Sequence, residues 1–248
     1  MLEFLEPDGI QPRGTLLVIP GRGEQEEVYK RFGSRIAADA YRVEVLSDPT
    51  ADPDATRAEI ARRLQALDAV HPLVLVGSDT GALFAAGLLA NDELSAVAGL
   101  ILAGLPVGSD AAPAATAAGS WDEELDARTT CPTHRGRISA ALVTPGALYE
   151  PVPQDWPERA NLGAIAVPVL AIHGQEDPIS SLDAVRERYL PIPNLEFVSV
   201  AGARHDALND QSHRSVAATV VLWLERLKLN GPELNAIATP ELVGYGVA

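Results

Sequence analysis

Runs of strand-forming residues alternate along the chain with segments whose apolar residues recur at helical spacing. The runs predict strands at 15–19, 41–46, 72–76, 97–103, 167–173 and 195–200. Residues with apolar positions three or four apart predict helices at 26–40, 52–67, 82–89, 182–189 and 207–227. Alternating strands and helices need crossover connections, so we expect a three-layer α/β fold: a mostly parallel sheet with helices on both faces.

The alternation lapses between residues 105 and 165. Residues 106–119 are rich in Gly, Ala and Ser and predict a loop. Residues 121–141 predict a helix interrupted at Pro132, and three prolines make the remainder loop-like. Long connections of this kind often cover active sites. We therefore expect a core of residues 1–104 and 166–230, a short cap or lid insertion of residues 105–165, and a C-terminal tail of residues 231–248.

Composition and charge narrow the function classes. The 248 residues carry a net charge of −15, which disfavours binding to phosphate backbones, so we expect a small-molecule substrate and no nucleic acid. No apolar stretch is long enough to span a membrane, and the first residues lack the basic and apolar regions of a signal peptide. With Cys131 as its one cysteine, the chain is expected to be a cytoplasmic monomer or homodimer.

A Gly-x-Asp-x-Gly motif, Gly77 to Gly81, lies between a predicted buried strand and an alanine-rich helix. A strand that turns directly into a helix needs a tight, strained bend, with small residues on both sides of the apex. The motif places Asp79 at the apex and turns Ser78 away from it. The alternative interpretation is that Asp79 only caps the following helix.

Two further polar residues follow predicted strands. Asp177 comes after the strand at 167–173, and His205 comes after the strand at 195–200. The carboxyl ends of parallel strands share one edge of the sheet, where ligands bind in open α/β folds. Taken singly, Asp177 could be a helix cap and His205 an ordinary loop histidine. Together with Asp79 they predict a catalytic triad.

The chain order of nucleophile, acid and histidine resembles the α/β-hydrolase family over residues 14–227. The resemblance implies that Asp79 is the nucleophile, Asp177 the acid that orients histidine, and His205 the general base. Residues 20–22 resemble the family's oxyanion loop, with Pro20 in place of the usual His. The resemblance implies an oxyanion hole formed by the backbone N–H groups of Arg22 and Thr80.

Aspartate at the nucleophile position departs from the family's usual serine and resembles dehalogenases and epoxide hydrolases. Thr80 stands where haloalkane dehalogenases place Trp and fluoroacetate dehalogenases place Arg, and the cap contains a single tyrosine. The halide site and tyrosine pair of those enzymes are therefore not expected here. Substrate contacts are predicted for Gly21, Trp121, Tyr149 and Trp156.

Three functions remain open at this stage. The first is a hydrolase in which Asp79 attacks an ester, epoxide or halide. The second is a lyase, eliminase or cyclase in which Asp79 and His205 remove a proton, as in related actinobacterial natural-product enzymes such as those of tetronate assembly. The third is an inactive binding protein. No metal and no organic cofactor are predicted.

The role of one basic residue also stays open. Arg22 is either a surface residue paired with Glu24 or a ligand for a substrate carboxylate or enolate. His71, His134 and His213 have no evident partners in the sequence and are interpreted as structural or exposed.

Overall fold

A single seven-stranded sheet organises the chain, and the computed structural model describes residues 2–66, 69–107, 120–138 and 141–238. The strands are β1 (Leu2–Phe4), β2 (Gly14–Ile19), β3 (Tyr41–Val45), β4 (Leu73–Ser78), β5 (Gly99–Ala103), β6 (Val169–Gly174) and β7 (Leu195–Val200). Their order is β1-β3-β2-β4-β5-β6-β7, and β1 alone is antiparallel. The predicted mostly parallel sheet is confirmed. The three-residue β1 was not predicted, because so short a strand carries no periodic signal.

Helices cover both faces of this sheet. They are α1 (Lys30–Ala37), α2 (Pro53–Leu64), α3 (Thr80–Ala90), α4 (Trp121–Arg128), α5 (Pro132–Ile138), α6 (Trp156–Arg159), α7 (Leu182–Tyr189) and α8 (His213–Asn230). The predicted interruption at Pro132 is confirmed, because α5 begins at this proline, where a missing N–H is tolerated. The loop expected at 106–119 and the tail expected at 231–248 lie largely outside the described residues, as do 67–68 and 139–140.

One helix boundary was predicted wrongly. The last helix begins at His213 rather than at 207. The side chain of Asp210 accepts hydrogen bonds from the backbone N–H groups of Arg204, Thr130 and Cys131. These bonds hold the chain after β7 in a loop, because Asp side chains compete with helical backbone hydrogen bonds.

Two hydrophobic layers lie on the two faces of the sheet. Leu16 and Val18 of β2 pack into the layer that contains Trp223 of α8, whereas Leu17 and Ile19 pack into the layer that contains Ile60 of α2. This alternation follows from the twofold period of a strand. Because both faces are covered, the polar residues that follow β2, β4, β6 and β7 meet at the carboxyl edge of the sheet.

Within the described ranges, no helix combines the length and the apolar character needed to cross a membrane.

Candidate active site

Asp79 lies at a strained bend between β4 and α3. Its backbone angles are φ 49° and ψ −123°, a conformation that L-residues seldom adopt. A Cβ added to Gly77 would approach the Cα of Ala82 to 2.4 Å, and one added to Gly81 would approach the carbonyl oxygen of Ile19 to 2.3 Å. The two flanking glycines therefore allow a turn too tight for any side chain.

The Asp79 side chain does not cap α3, although the residue occupies the N-cap position. Its Oδ2 accepts hydrogen bonds from Nε of Arg22 at 2.8 Å and from the backbone N–H of Arg22 at 3.1 Å. Its Oδ1 accepts one from Nη2 of Arg22 at 2.7 Å and lies 3.3 Å from Nε2 of His205. The carboxylate is thus held in a two-pronged ion pair beside an imidazole.

His205 lies between two carboxylates. Its Nε2 faces Asp79, and its Nδ1 lies 2.9 Å from Oδ2 of Asp177. The other oxygen of Asp177 accepts hydrogen bonds from the backbone N–H groups of Ile179 and Ser180. His173, which was not predicted, lies 3.1 Å from the same Asp177 oxygen as His205. The three residues predicted as a triad are therefore adjacent and buried.

The charges in this group shift one another's pKa values. Burial raises the pKa of Asp79, but the Arg22 guanidinium and His205 outweigh burial and hold it well below its ordinary value. Burial lowers the pKa of His205, but Asp177 and Asp79 outweigh burial and raise it to about 10. Burial lowers the pKa of His173 despite its nearness to Asp177. At neutral pH the group therefore holds two carboxylates, one guanidinium and one imidazolium.

Of the two predicted oxyanion-hole residues, Arg22 lies at this carboxylate, and the role of both stays a prediction. The backbone N–H of Arg22 donates to Asp79 Oδ2, and Thr80 is the first residue of α3. Gly21 borders the site so closely that an added Cβ would meet the Cβ of Asp79 at 2.9 Å. The interpretation of Arg22 as a surface residue paired with Glu24 is wrong, because Arg22 is buried and pairs with Asp79.

A cavity of about 660 Å³, which we call the Arg22 cavity, lies beside the ion pair. It is lined by Arg22, Thr50, Glu150, Pro151, Val152, Pro153, Gln154 and Pro157. Nη1 of Arg22 also donates a hydrogen bond to the backbone carbonyl of Glu150. Arg22 therefore contacts Asp79 on one side and borders open space on the other.

The aromatic residues predicted to contact substrate lie apart from the Arg22 cavity. Trp156 is buried against Phe84, with ring centroids 5.1 Å apart, and lines a neighbouring cavity of about 380 Å³. Trp121 packs against the hydrophobic layer of α8. Tyr149 packs against a small cluster that contains Ala127 and Ile179. Their predicted contact with substrate stays a prediction.

A second buried charge cluster, which we call the Arg128 cluster, was missed by sequence reasoning. Arg128 of α4 lies 2.8 Å from Glu24, 3.0 Å from Glu124 and 3.6 Å from Asp206. His134, interpreted above as lacking a partner, lies 2.9 Å from Asp206. The spacing of four residues along α4 is a signal from which the contact with Glu124 could have been predicted, but no local pattern indicates the other two.

Comparison with known proteins identifies the fold. No protein-family model and no curated protein matches the chain. Three similar solved structures are monoglyceride lipase from Saccharomyces cerevisiae (TM-score 0.70, 16% identity, 90% of each chain), monoacylglycerol lipase from Paleococcus ferrophilus (TM-score 0.69, 18% identity, 90% of this chain and 96% of that one) and an esterase from Rhodococcus (TM-score 0.63, 22% identity, 91% and 98%). The chain has the α/β-hydrolase fold.

Proposed function

We propose that the chain is a cofactor-independent hydrolase that uses Asp79 as nucleophile on a small-molecule ester, epoxide or halide. The observation that carries the proposal is the hydrogen bond from the backbone N–H of Arg22 to Asp79 Oδ2. If Oδ1 forms an ester with substrate, Oδ2 becomes the ester's carbonyl oxygen. This oxygen already lies at an N–H donor that can stabilise the oxyanion formed when water attacks the ester.

The first step is displacement at carbon. Asp79 Oδ1 forms a bond to the substrate carbon, while the bond from that carbon to its leaving group breaks and the leaving group takes the electron pair. A carboxylate needs no proton acceptor for this attack. An epoxide or ester oxygen leaves with a proton from His205, which is protonated at neutral pH because its pKa is raised to about 10.

The second step is hydrolysis of the enzyme ester. Ester formation removes the negative charge of Asp79, which is one of the two charges that raise the pKa of His205. For an epoxide or ester, the imidazole has already given its proton to the leaving oxygen, and for a halide it releases the proton to solvent. The neutral imidazole then accepts a proton from the water that attacks the carbonyl carbon of the enzyme ester. The two protons of this water end on the product oxygen and on His205, which restores the imidazolium.

An epoxide, a halide or an alkyl ester yields an alcohol, whereas an aryl ester, whose acyl carbon forms an anhydride with Asp79, yields a carboxylic acid. In each case the Asp79 carboxylate is regenerated. Asp177 acts as a positioning residue that holds the imidazole through Nδ1.

The pKa directions favour displacement over the proton-removal chemistry considered above. Elimination needs a group that accepts a proton in the resting enzyme. Asp79 is a weak base because its pKa is held well below its ordinary value, and His205 already carries a proton. A weakly basic carboxylate can still displace a leaving group from carbon. The hypothesis of an inactive binding protein gives no role to the strained, charged bend at Asp79.

Isotope labelling tests the nucleophile directly. The enzyme is incubated in excess over epoxides, haloacids and aryl esters in heavy-oxygen water, and the peptide that contains Asp79 is then analysed by mass spectrometry. We expect heavy oxygen in Asp79, loss of turnover in Asp79→Asn, and accumulation of a substrate adduct in His205→Gln. Ser78→Ala is the matched control and should retain turnover and label. Full turnover without label in Asp79 would exclude the nucleophile.

A further inference from the structure

Arg22 joins Asp79 to open space, because it pairs with Asp79 and borders the Arg22 cavity. Three cavities lie beside residues 150–161, and the Arg22 cavity is bordered by a hydrogen-bond partner of Asp79. The other two, of about 380 and 790 Å³, are bordered by neither Asp79, Arg22 nor His205. A substrate that enters through the Arg22 cavity meets the guanidinium before it meets the carboxylate.

The ion pair blocks the attack that the proposed function requires. Oδ1 of Asp79 is held by Nη2 of Arg22 at 2.7 Å and by His205 at 3.3 Å. Freeing Oδ1 without a replacement leaves a buried guanidinium with less compensation, which is strongly unfavourable. A neutral substrate brings no replacement. A substrate with a carboxylate of its own can accept the N–H groups that Asp79 releases.

The lining of the Arg22 cavity agrees with an anionic ligand that has a short apolar body. Arg22 is its one basic residue, and three prolines and a valine supply apolar surface. Thr50 and Gln154 add neutral polar groups. Glu150 contributes a second charge, but its side chain is exposed to solvent while its carbonyl faces Arg22. The buried charge of the lining is therefore positive.

We propose that Arg22 is a substrate-binding residue that exchanges the Asp79 carboxylate for the carboxylate of a small organic acid, which makes small anionic substrates the class that this site accepts. The inference rests on the proposed function, because the exchange matters only if Oδ1 of Asp79 must be released in order to attack the substrate. Binding of the acid and activation of Asp79 are then one event.

Matched acid and amide ligands test the subsite without turnover. Propanoate and propanamide have nearly the same shape and differ in charge, and their dissociation constants can be measured by NMR titration. We expect propanoate to bind about tenfold more tightly or better, since a charge-assisted two-pronged pair is lost in the amide. Arg22→Gln keeps the backbone N–H and should abolish this preference. Arg57→Gln, an arginine beside the neighbouring cavity, should leave the preference unchanged.

A second variant keeps the test valid if Arg22→Gln fails to fold. A chlorinated acid and its amide then separate the subsite from the proposed hydrolase. Arg22→Lys keeps a positive charge without the planar fork and should retain part of the preference. Equal binding of acid and amide overturns the proposed subsite. An unchanged preference for the acid in Arg22→Gln or in Arg22→Lys overturns it as well. Label in Asp79 from 2-chloropropanamide as fast as from 2-chloropropanoate also overturns it and leaves the hydrolase standing. A preference for propanoate without any label overturns the hydrolase alone.

Discussion

Two buried arginines lie close together and differ in what surrounds them. Arg128 is fully buried among Glu24, Glu124 and Asp206 and borders none of the cavities described above. Arg22 pairs with the single carboxylate of Asp79 and borders the Arg22 cavity. Nη2 of Arg128 even lies 3.5 Å from the carbonyl oxygen of Arg22. Both arginines are buried, with Arg22 7% and Arg128 0% exposed, but their surroundings differ.

The difference lies in the number of partners and in access. The Arg128 cluster ties α4 to the loops after β2 and β7, and Glu124 also accepts hydrogen bonds from the backbone N–H groups of Gly146 and Leu148. Such a closed cluster fixes the position of segments. The Arg22 pair has open space on one side and a strained partner on the other. Open space and a strained partner are the two features that separate the Arg22 pair from the Arg128 cluster and favour chemistry at the former.

The largest expected effect is loss of stability in Arg128→Met. Removing the guanidinium leaves three buried carboxylates without their common cation, which costs about 3–5 kcal/mol. Arg22→Met should cost less, because one carboxylate loses its partner and His205 remains beside it. Urea unfolding monitored by circular dichroism gives both free energies. Equal losses for the two variants would contradict the proposed difference between the clusters.

The next effect concerns the bend that presents Asp79. An alanine Cβ at position 77 would lie 2.4 Å from the Cα of Ala82, so Gly77→Ala forces a backbone shift. We expect a loss of about 1–3 kcal/mol, as for other overpacked sites, with loss of the activity proposed above. Gly136→Ala in α5 is the matched control, because its Cβ would meet nothing within 4 Å. Thermal unfolding of both variants is the measurement, and equal melting temperatures would refute the steric account.

The position of Asp79 could be predicted from sequence because its signal is local. Gly77, Asp79 and Gly81 follow one apolar strand, and Asp177 and His205 follow two others. The Arg128 cluster could not be predicted, since its members come from separate segments and meet through packing alone. The ion pair between Arg22 and Asp79 could not be predicted for the same reason. The sequence left two interpretations of Arg22, and only the fold brings the loop after β2 against the loop after β4.

A pH-dependent contribution to stability should follow from His205. The folded-state pKa is raised from 6.5 to about 10, so the folded protein keeps a proton that the unfolded chain loses. The stabilisation is complete below pH 6.5 and is lost as pH rises through about 10. Between these values the free energy of unfolding should fall by roughly 1.4 kcal/mol per pH unit from this group.

His205→Gln isolates that contribution. Other groups titrate alike in both proteins, so the difference between the two slopes of unfolding free energy against pH belongs to His205. Urea unfolding at several pH values between about 7 and 9 supplies the slopes, a window inside the shift given above. Parallel slopes would mean that the imidazole is neutral in the folded protein. The proton donor for an epoxide or ester oxygen would then have to be another group.

The smallest expected effect comes from the residue next to Asp79. Thr80 is fully buried, and its Oγ1 has no hydrogen-bond partner among the residues that the structure describes. An unsatisfied buried hydroxyl is unfavourable, so Thr80→Val, which keeps the shape, should raise the free energy of unfolding by about 1 kcal/mol. Thr56→Val is the control, because the Thr56 hydroxyl donates to the carbonyl of Asp52, and it should bring no gain.

The same variant also sharpens the contrast between the two clusters. The carboxylates that surround Arg128 are satisfied by the protein itself, whereas the Thr80 hydroxyl beside Asp79 is not. If substrate or water forms a hydrogen bond with that hydroxyl during turnover, Thr80→Val should raise the free energy of unfolding and lower kcat/KM. This is the result expected where stability and activity conflict. A gain in stability with unchanged kcat/KM would place the hydroxyl outside the chemistry. The unsatisfied group would then be a packing compromise of the tight bend.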